Sequence, residues 1–486
     1  MKSFLKLVFV VVLVLAAIVL TRAALLKPAP IPAVAATPIP LDHDGAVQRF
    51  IGAIQIPTES QASQPPNQAA MQKFRDYLVA SFPKVNASMQ REVLPDGALI
   101  YTWAGRDPSA KPVVLMGHFD VVPAATETLS QWKHGPYSGD LADGFIWGRG
   151  TLDDKIHVVS LLEAAETLIG RGFTPARTIL FCFGDDEENG GSYGAVNIVK
   201  TLKSRNIQPE FVIDEGGAVA RGMIPGLTRP VAVIGTAEKG FANLDLTTHG
   251  TGGHSSEPPR HTAIGELGKA LGRLEDHQFY ASLPGVLQDQ YTAIAPYMPF
   301  SKRLVLANLW LFKPLIVQMG LKQKASAGNF HTTIAEDMIS GGFKDNALPT
   351  SAKAVINFRI LPGDTVATVI EHVRKAIDDP DVTITDENAG SPRNPSPISP
   401  IDSNGYLTLS KTIHQLFPDV IVVPNLLAAA TDSTFYTVLT PNVYRFLAVQ
   451  LDPSTFAMIH GLNERIAPED YVKTVQFMAQ LMQNIN

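Results

Sequence analysis

The residues able to do chemistry fall into short, separate clusters. In GHFDVVP, His118 and Asp120 stand two positions apart at the end of an apolar run. On an extended chain, residues i and i+2 point the same way. Asp120 can therefore accept a proton from one imidazole nitrogen while the other faces a metal. Alone, the pair would be an ordinary turn histidine and aspartate. In WGRGTLDDK, Gly148 and Gly150 permit a close backbone approach, and Asp153 and Asp154 come just before a helical pattern. Either acid can simply cap that helix; Asp153 is read as a metal ligand, Asp154 as a cap or local hydrogen-bond partner. GDDEENGG sets the acids Asp185 to Glu188 in a row. On a surface loop such a run is solvated charge, but a divalent cation offsets the repulsion. Adjacent glutamates then divide the work, Glu188 binding metal and Glu187 acting as general base between water and the leaving nitrogen. EFVIDEGG adds a further carboxylate, Asp214 or Glu215, and spacing does not decide which. His460, in AMIHGLNERI, gains interest only as one more ligand for this set.

These clusters need elements to bring them together. PVVLMGHFD, RTILFCFGDDEE and EFVIDEGG each read as a buried strand running into polar residues, and KIHVVSLLEAAETLI puts Val158, Leu161, Leu162, Ala165 and Leu168 on one helical face. Strands alternating with helices predict an α/β fold, a mainly parallel sheet flanked by helices. Such sheets bind ligands beyond the carboxyl ends of their strands, where all three polar clusters fall. Residues 238–388 read differently, as β-α-β-β-α-β, a ferredoxin-like α+β insertion. A stretch from Leu283 to Lys324, with the apolar LVLANLWLFKPLIVQM, interrupts it and predicts a helical element at a subunit contact or membrane surface. The expected organisation is an N-terminal segment at 1–26, a Pro/Ala-rich spacer at 27–41, a catalytic domain in two pieces at 42–237 and 389–486, and the insertion between them.

The 486 residues are too many for one ordinary core. A net charge of −6 and the lack of a basic block argue against nucleic acid. One cysteine, Cys182, cannot form an internal disulfide or a thiolate zinc cluster, and its place in TILFCF predicts a buried strand residue. Any metal must therefore be held by histidine and carboxylate. Near the N-terminus, Lys2 and Lys6 precede an unbroken apolar run from Leu7 to Leu20, closed by Arg22. That pattern predicts export. An uncleaved membrane anchor is favoured over a cleaved signal, because the small-residue patterns at Thr21-Arg22-Ala23 and Ala33-Val34-Ala35 are weak cleavage sites.

GHFD, GRGTLDDK, DEENGG, DEGG, GGHSSEPP, NFRI, ATDS and HGLNE, in this order, resemble peptidase family M20, and within it the carboxypeptidase S and PM20D1-like branch. The likeness runs from about residue 42 to the end. It implies a zinc aminopeptidase-like catalytic domain holding two zinc ions, with cobalt or manganese as other metals for such ligands. It also implies hydrolysis of amide bonds beside a free carboxylate, in peptides or N-acyl amino acids. By resemblance, His118, Asp153 and Asp214 or Glu215 serve one ion, and Asp153, Glu188 and His460 the other. His254, in GGHSS, resembles the histidine that stabilises the tetrahedral oxyanion, sometimes offered across a homodimer formed through the inserted lid. Asn346 in KDNALP and Arg359 in NFRIL resemble the groups that hold the substrate carboxylate, for which a planar guanidinium is suited. Thr431 and Asp432 would line the same pocket. The chain departs from the pattern at Ile156 and His157, and at Thr434 and Phe435, where many relatives have a basic pair.

Two other readings compete. GGSYG fits the nucleophile elbow of a serine hydrolase through Ser192, but such a serine sits directly at a strand end, whereas DDEEN intervenes here. A non-catalytic binding protein on this fold would be expected to lack the base or the bridging ligand, yet Glu187 and Asp153 are both present.

Overall fold

The three apolar runs that end in polar clusters are adjacent parallel strands. In a computed structural model, which describes all residues but 29–34, 61–67, 387–391 and 486, Val113–His118 lies between Ile179–Gly184 and Phe211–Asp214. His118 is paired with Gly184, and Leu115 with Ile213. All three strands are buried along their length, as expected of parallel strands covered on both faces. Their carboxyl ends therefore deliver His118, the Asp185–Glu188 run and Asp214 to one edge. Val443–Arg445 continues the sheet in parallel beside Phe211–Asp214. At the other side, Leu99–Trp103 and Gln90–Val93 add antiparallel strands, so the ten-stranded sheet is mixed but mainly parallel near the clusters. Cys182 is buried within it.

The helix Lys155–Gly170 lies against the Val113–His118 strand and the C-terminal helix Pro468–Asn484. The sequence predicts one apolar face, but 13 of its 16 residues are buried. Its polar residues are accommodated by partners. Glu163 accepts two hydrogen bonds from Arg49, at 2.6 and 2.7 Å, and Glu166 accepts from the backbone N–H groups of Lys84 and Val85.

Between Gly240 and Thr385 the chain makes a second sheet in the order Thr333–Gly341, Ser351–Ile360, Gly240–His249, Thr383–Thr385, antiparallel throughout. Helices Ala263–Asp276 and Val366–Ile377 pack on one face, capped by the side chains of Thr262 and Thr365. Alternate strand residues, such as Leu244, Leu246, Ile356 and Phe358, join Leu267 and Val373 in an apolar cluster distinct from the main core. The interrupting stretch is helical: Gly285–Ile294 packs on the strand Ile421–Leu427, and Phe300–Leu306 and Leu309–Leu321 form a hairpin bent by 108°. Lys2–Leu25 is one helix, long and apolar enough to cross a membrane. The middle of the Pro/Ala spacer and most of the Ala33–Ala35 cleavage pattern lie outside the described residues.

Candidate active site

Asp153 is the hub of the site. One of its carboxylate oxygens lies 3.1 Å from His118 Nε2, and the other 3.0 Å from His460 Nε2. Glu188 reaches the same His460 nitrogen at 3.2 Å. His118 turns its other nitrogen to Asp120, at 3.0 Å from the main-chain oxygen and 3.3 Å from the carboxylate. This is the arrangement expected from their spacing. The Asp120 carboxylate does more, accepting the backbone N–H groups of Glu187 and Glu188 at 3.2 and 3.1 Å. It thereby ties the histidine to the short turn that carries both glutamates. Asp154 makes no side-chain cap; its carboxylate accepts the backbone N–H of His118 at 3.2 Å. Asp186 caps the next helix instead, accepting from Tyr193 and Gly194, both at 2.8 Å.

At the end of the neighbouring strand, Asp214 and Glu215 differ. Asp214 is buried and accepts the Ser433 N–H at 2.9 Å. Glu215 faces the charged centre, where burial and then the negative charges of Asp153, Asp154 and Asp214 push its carboxyl well above the usual range. Thr431 and Asp432 are both buried. The Thr431 hydroxyl donates to Glu238 at 2.7 Å, and Glu238 is itself paired with the buried Arg445 at 2.8 Å. Asp432 packs against Gly184 and Gly191, where a Cβ would collide with its carboxylate. Gly191 also has a φ of +64°, so a side chain there is excluded by both space and conformation.

Sequence reasoning missed a clasp formed by Arg149 and Glu464. Glu464 is buried and accepts from the backbone N–H groups of Gly150, Leu152 and Asp153 at 3.0, 2.8 and 3.3 Å, and from Arg149 at 2.7 Å. It joins the Asp153 loop to the His460 loop across 311 residues of chain. The signal in the sequence was the acid at the end of HGLNE and the arginine of GRG, both legible only as a pair. His460 itself has a φ of +57°, a conformation that non-glycine residues seldom adopt and that is found where a site imposes it.

The electrostatics of this cluster suit a cation. Burial opposes charging of the His118 imidazole, but its bonds to Asp120 and Asp153 prevail and raise its pKa. Bonds to Asp153 and Glu188 raise His460 to about 10. Burial comes first among the causes that push Glu187 and Glu188 up, joined by neighbouring carboxylates. The buried Glu188 Oε1 has no hydrogen-bond partner among the described residues. An unpartnered carboxylate oxygen in a crowd of acids is what a divalent ion satisfies. Two groups of donors lie close enough to hold metal: His118 with Glu187 and Glu188, and Asp153 with Glu188 and His460. The residues fit a metal.

Other expected residues lie elsewhere. His254 and Asn346 are exposed on neighbouring loops of the inserted sheet, where His254 pairs with Ala347. Arg359 is at the opposite end of its strand, beside Phe241, with its guanidinium 5.1 Å above the ring. The eight steps along the strand from Ser351 to Arg359 span roughly 26 Å, so one chain does not bring His254 and Arg359 to the same place. Ser192 is exposed, in a turn eight residues past the strand end at Gly184. Phe435 lies under the Arg393 guanidinium, which is 5.6 Å from its ring centre.

A mainly parallel α/β sheet carrying clustered histidines and carboxylates at its strand ends defines a metal-dependent hydrolase. The chain belongs to peptidase family M20/M25/M40, whose model matches residues 114–484. It is 39% identical to "Probable carboxypeptidase S-like 2" of Dictyostelium discoideum over 415 residues, 85% of this chain and 79% of that protein. It is also 39% identical to the human "N-fatty-acyl-amino acid synthase/hydrolase PM20D1" over 439 residues, 89% of this chain and 86% of that one. The fold is shared with the M20 family metallo-carboxypeptidase Sso-CP2 of Sulfolobus solfataricus, at a TM-score of 0.67 and 18% identity, covering 90% of this chain and 99% of that one. The chain is thus an enzyme of this family, in the branch of carboxypeptidase S and PM20D1.

Proposed function

We propose that this enzyme hydrolyses the amide bond of N-acyl amino acids, beside a free carboxylate, with two divalent metal ions, zinc first among them. The observation that carries the metal chemistry is the placement of Asp153 between His118 and His460, one carboxylate oxygen toward each. That is the disposition of a bridging ligand. The choice of acyl substrate rests on the likeness to the human N-fatty-acyl-amino acid synthase/hydrolase. Metal held there supplies Lewis acidity, polarising the scissile carbonyl and making water a better nucleophile. Asp153, Glu188 and His460 would hold one ion, and His118, Asp153 and either Asp214 or Glu215 the other. Asp214 accepts the Ser433 N–H through one oxygen and keeps the other, and Glu215 has Asp153 as a charged neighbour, so either can complete the set.

The chain's own residues carry the proton. Glu187 takes it from the attacking water and delivers it to the leaving nitrogen. Asp120 positions both His118 and the backbone of Glu187. Arg359 holds the substrate carboxylate, with Thr431 and Asp432 forming the wall behind, and Asn346, which adjoins His254 at the other end of the strand, would reach that carboxylate from a second copy of the chain. His254, at the far end of the inserted sheet, would stabilise the oxyanion from a second copy of the chain. Residues 42–237 and 389–486 act as the catalytic unit and 238–388 as lid and dimerisation element. Helix Lys2–Leu25 anchors the exported body to the membrane; the burial of Val19 and Ala23 against the rest of the chain supports retention over cleavage.

Assay of purified protein against long-chain N-acyl amino acids and a dipeptide panel tests the reading. Turnover of the acyl substrates that is abolished by chelator and restored by zinc is expected. Cleavage of dipeptides alone would move the substrate to peptides, and cleavage of neither by metal-loaded protein would contradict the proposal.

A further inference from the structure

We infer that the hairpin of Phe300–Leu306 and Leu309–Leu321 inserts into the bilayer leaflet on the side of the folded body, making a second membrane contact beside the N-terminal helix. The inference rests on the anchored reading of that helix and adds to it. Only 6% of the most apolar 18-residue window of Lys2–Leu25 is buried. What little is buried meets the hairpin. Asn308, itself fully buried, donates to the Val19 carbonyl at 3.1 Å, and Arg22 Nε donates to Ala307 O at 3.4 Å. A helix of this length spans about 36 Å, against roughly 30 Å for a hydrocarbon core. Contact through Val19 to Ala23 is therefore within the last two turns, near the leaflet surface. Whatever covers that end of the helix also covers the hairpin.

The hairpin has the composition for that position. Phe300, Trp310, Leu315 and Met319 are exposed, Trp310 by 56%. No Asp or Glu occurs between Asp289 and Glu336, whereas Lys302, Arg303, Lys313, Lys322 and Lys324 do, in a chain of net charge −6. An isolated cationic, apolar segment on an acidic protein matches a leaflet carrying anionic headgroups. Exposed tryptophan and long lysine stems are the residues that settle at such an interface.

Trp310 supplies the test, because Trp103, Trp132 and Trp147 are buried. Full-length protein is reconstituted into vesicles of phosphatidylcholine and phosphatidylglycerol, with or without brominated acyl chains, and recovered by flotation. Brominated lipid is expected to quench tryptophan emission in the wild type, and that quenchable component is expected to be lost in Trp310→Phe. Iodide in the water should not reach it. If the protein floats but brominated lipid quenches both proteins equally, the inference fails and the anchor stands. Iodide quenching of Trp310 would then mean a hairpin in water, and shielding from both quenchers in a cross-linkable dimer would mean a second copy covers it. Failure to float would overturn anchor and hairpin together.

Discussion

Asp120 accepts from His118 and from the backbone of both glutamates, so it sets the position of ligand and base at once. Outer partners of this kind typically contribute 10–100-fold to metal affinity. Asp120→Ala is expected to weaken zinc binding by about that factor, read by titration against a competing chelator. Unchanged affinity would mean that His118 is oriented by other contacts. At this scale most of the site was legible, because the residue types announce their chemistry: His118, Asp153, Glu187, Glu188 and His460 meet in space as their types suggested. The choice between Asp214 and Glu215 was not. Both acids stand side by side at one strand end, and the partner that Asp214 takes, Ser433, is 219 residues away.

Among the elements, the Arg149–Glu464 clasp and the buried helix Lys155–Gly170 decide whether the donors stay in place. Removing one partner of a buried ion pair strands the other, at a cost of about 3–5 kcal/mol. Arg149→Met is therefore expected to lower the denaturant midpoint strongly, and no change would mean that Glu464 is satisfied by the backbone alone. His157, buried in the helix, is held neutral by burial, its pKa lowered from 6.5 to about 4. As pH falls from 6.5 toward 4, the unfolded chain takes up this proton and the folded one does not, so stability drops through that window. His157→Gln should flatten that part of the pH–stability curve; an unaltered slope would assign the acid sensitivity to other groups. Strand ends were readable because parallel strands are uninterrupted apolar runs. The clasp was not, because it joins two loops that adjoin only after the chain has folded. The burial of the helix on nearly all sides was hidden for a similar reason: Glu163 and Glu166 look solvated until Arg49 and the Lys84–Val85 backbone are brought to them.

At the scale of the molecule, Arg359 lies at one end of the pairing of Gly240–His249 with Ser351–Ile360, and His254, paired with Ala347, lies beyond the other end. If His254 acts in the site of a second copy, two inactive variants should complement each other. Mixed assemblies of His254→Ala and Glu187→Gln would regain about a quarter of wild-type activity, since half of randomly formed dimers are mixed and each has one intact site. Absence of complementation, with mixed dimers present, would place the oxyanion partner within one chain. The most direct test of the whole account is Glu187→Gln in the full-length enzyme, with zinc content and N-acyl amino acid turnover measured on the same sample. Full metal content with turnover reduced by about 10²–10⁴-fold is expected if Glu187 is the proton carrier. Unchanged turnover at full metal content would contradict the mechanism.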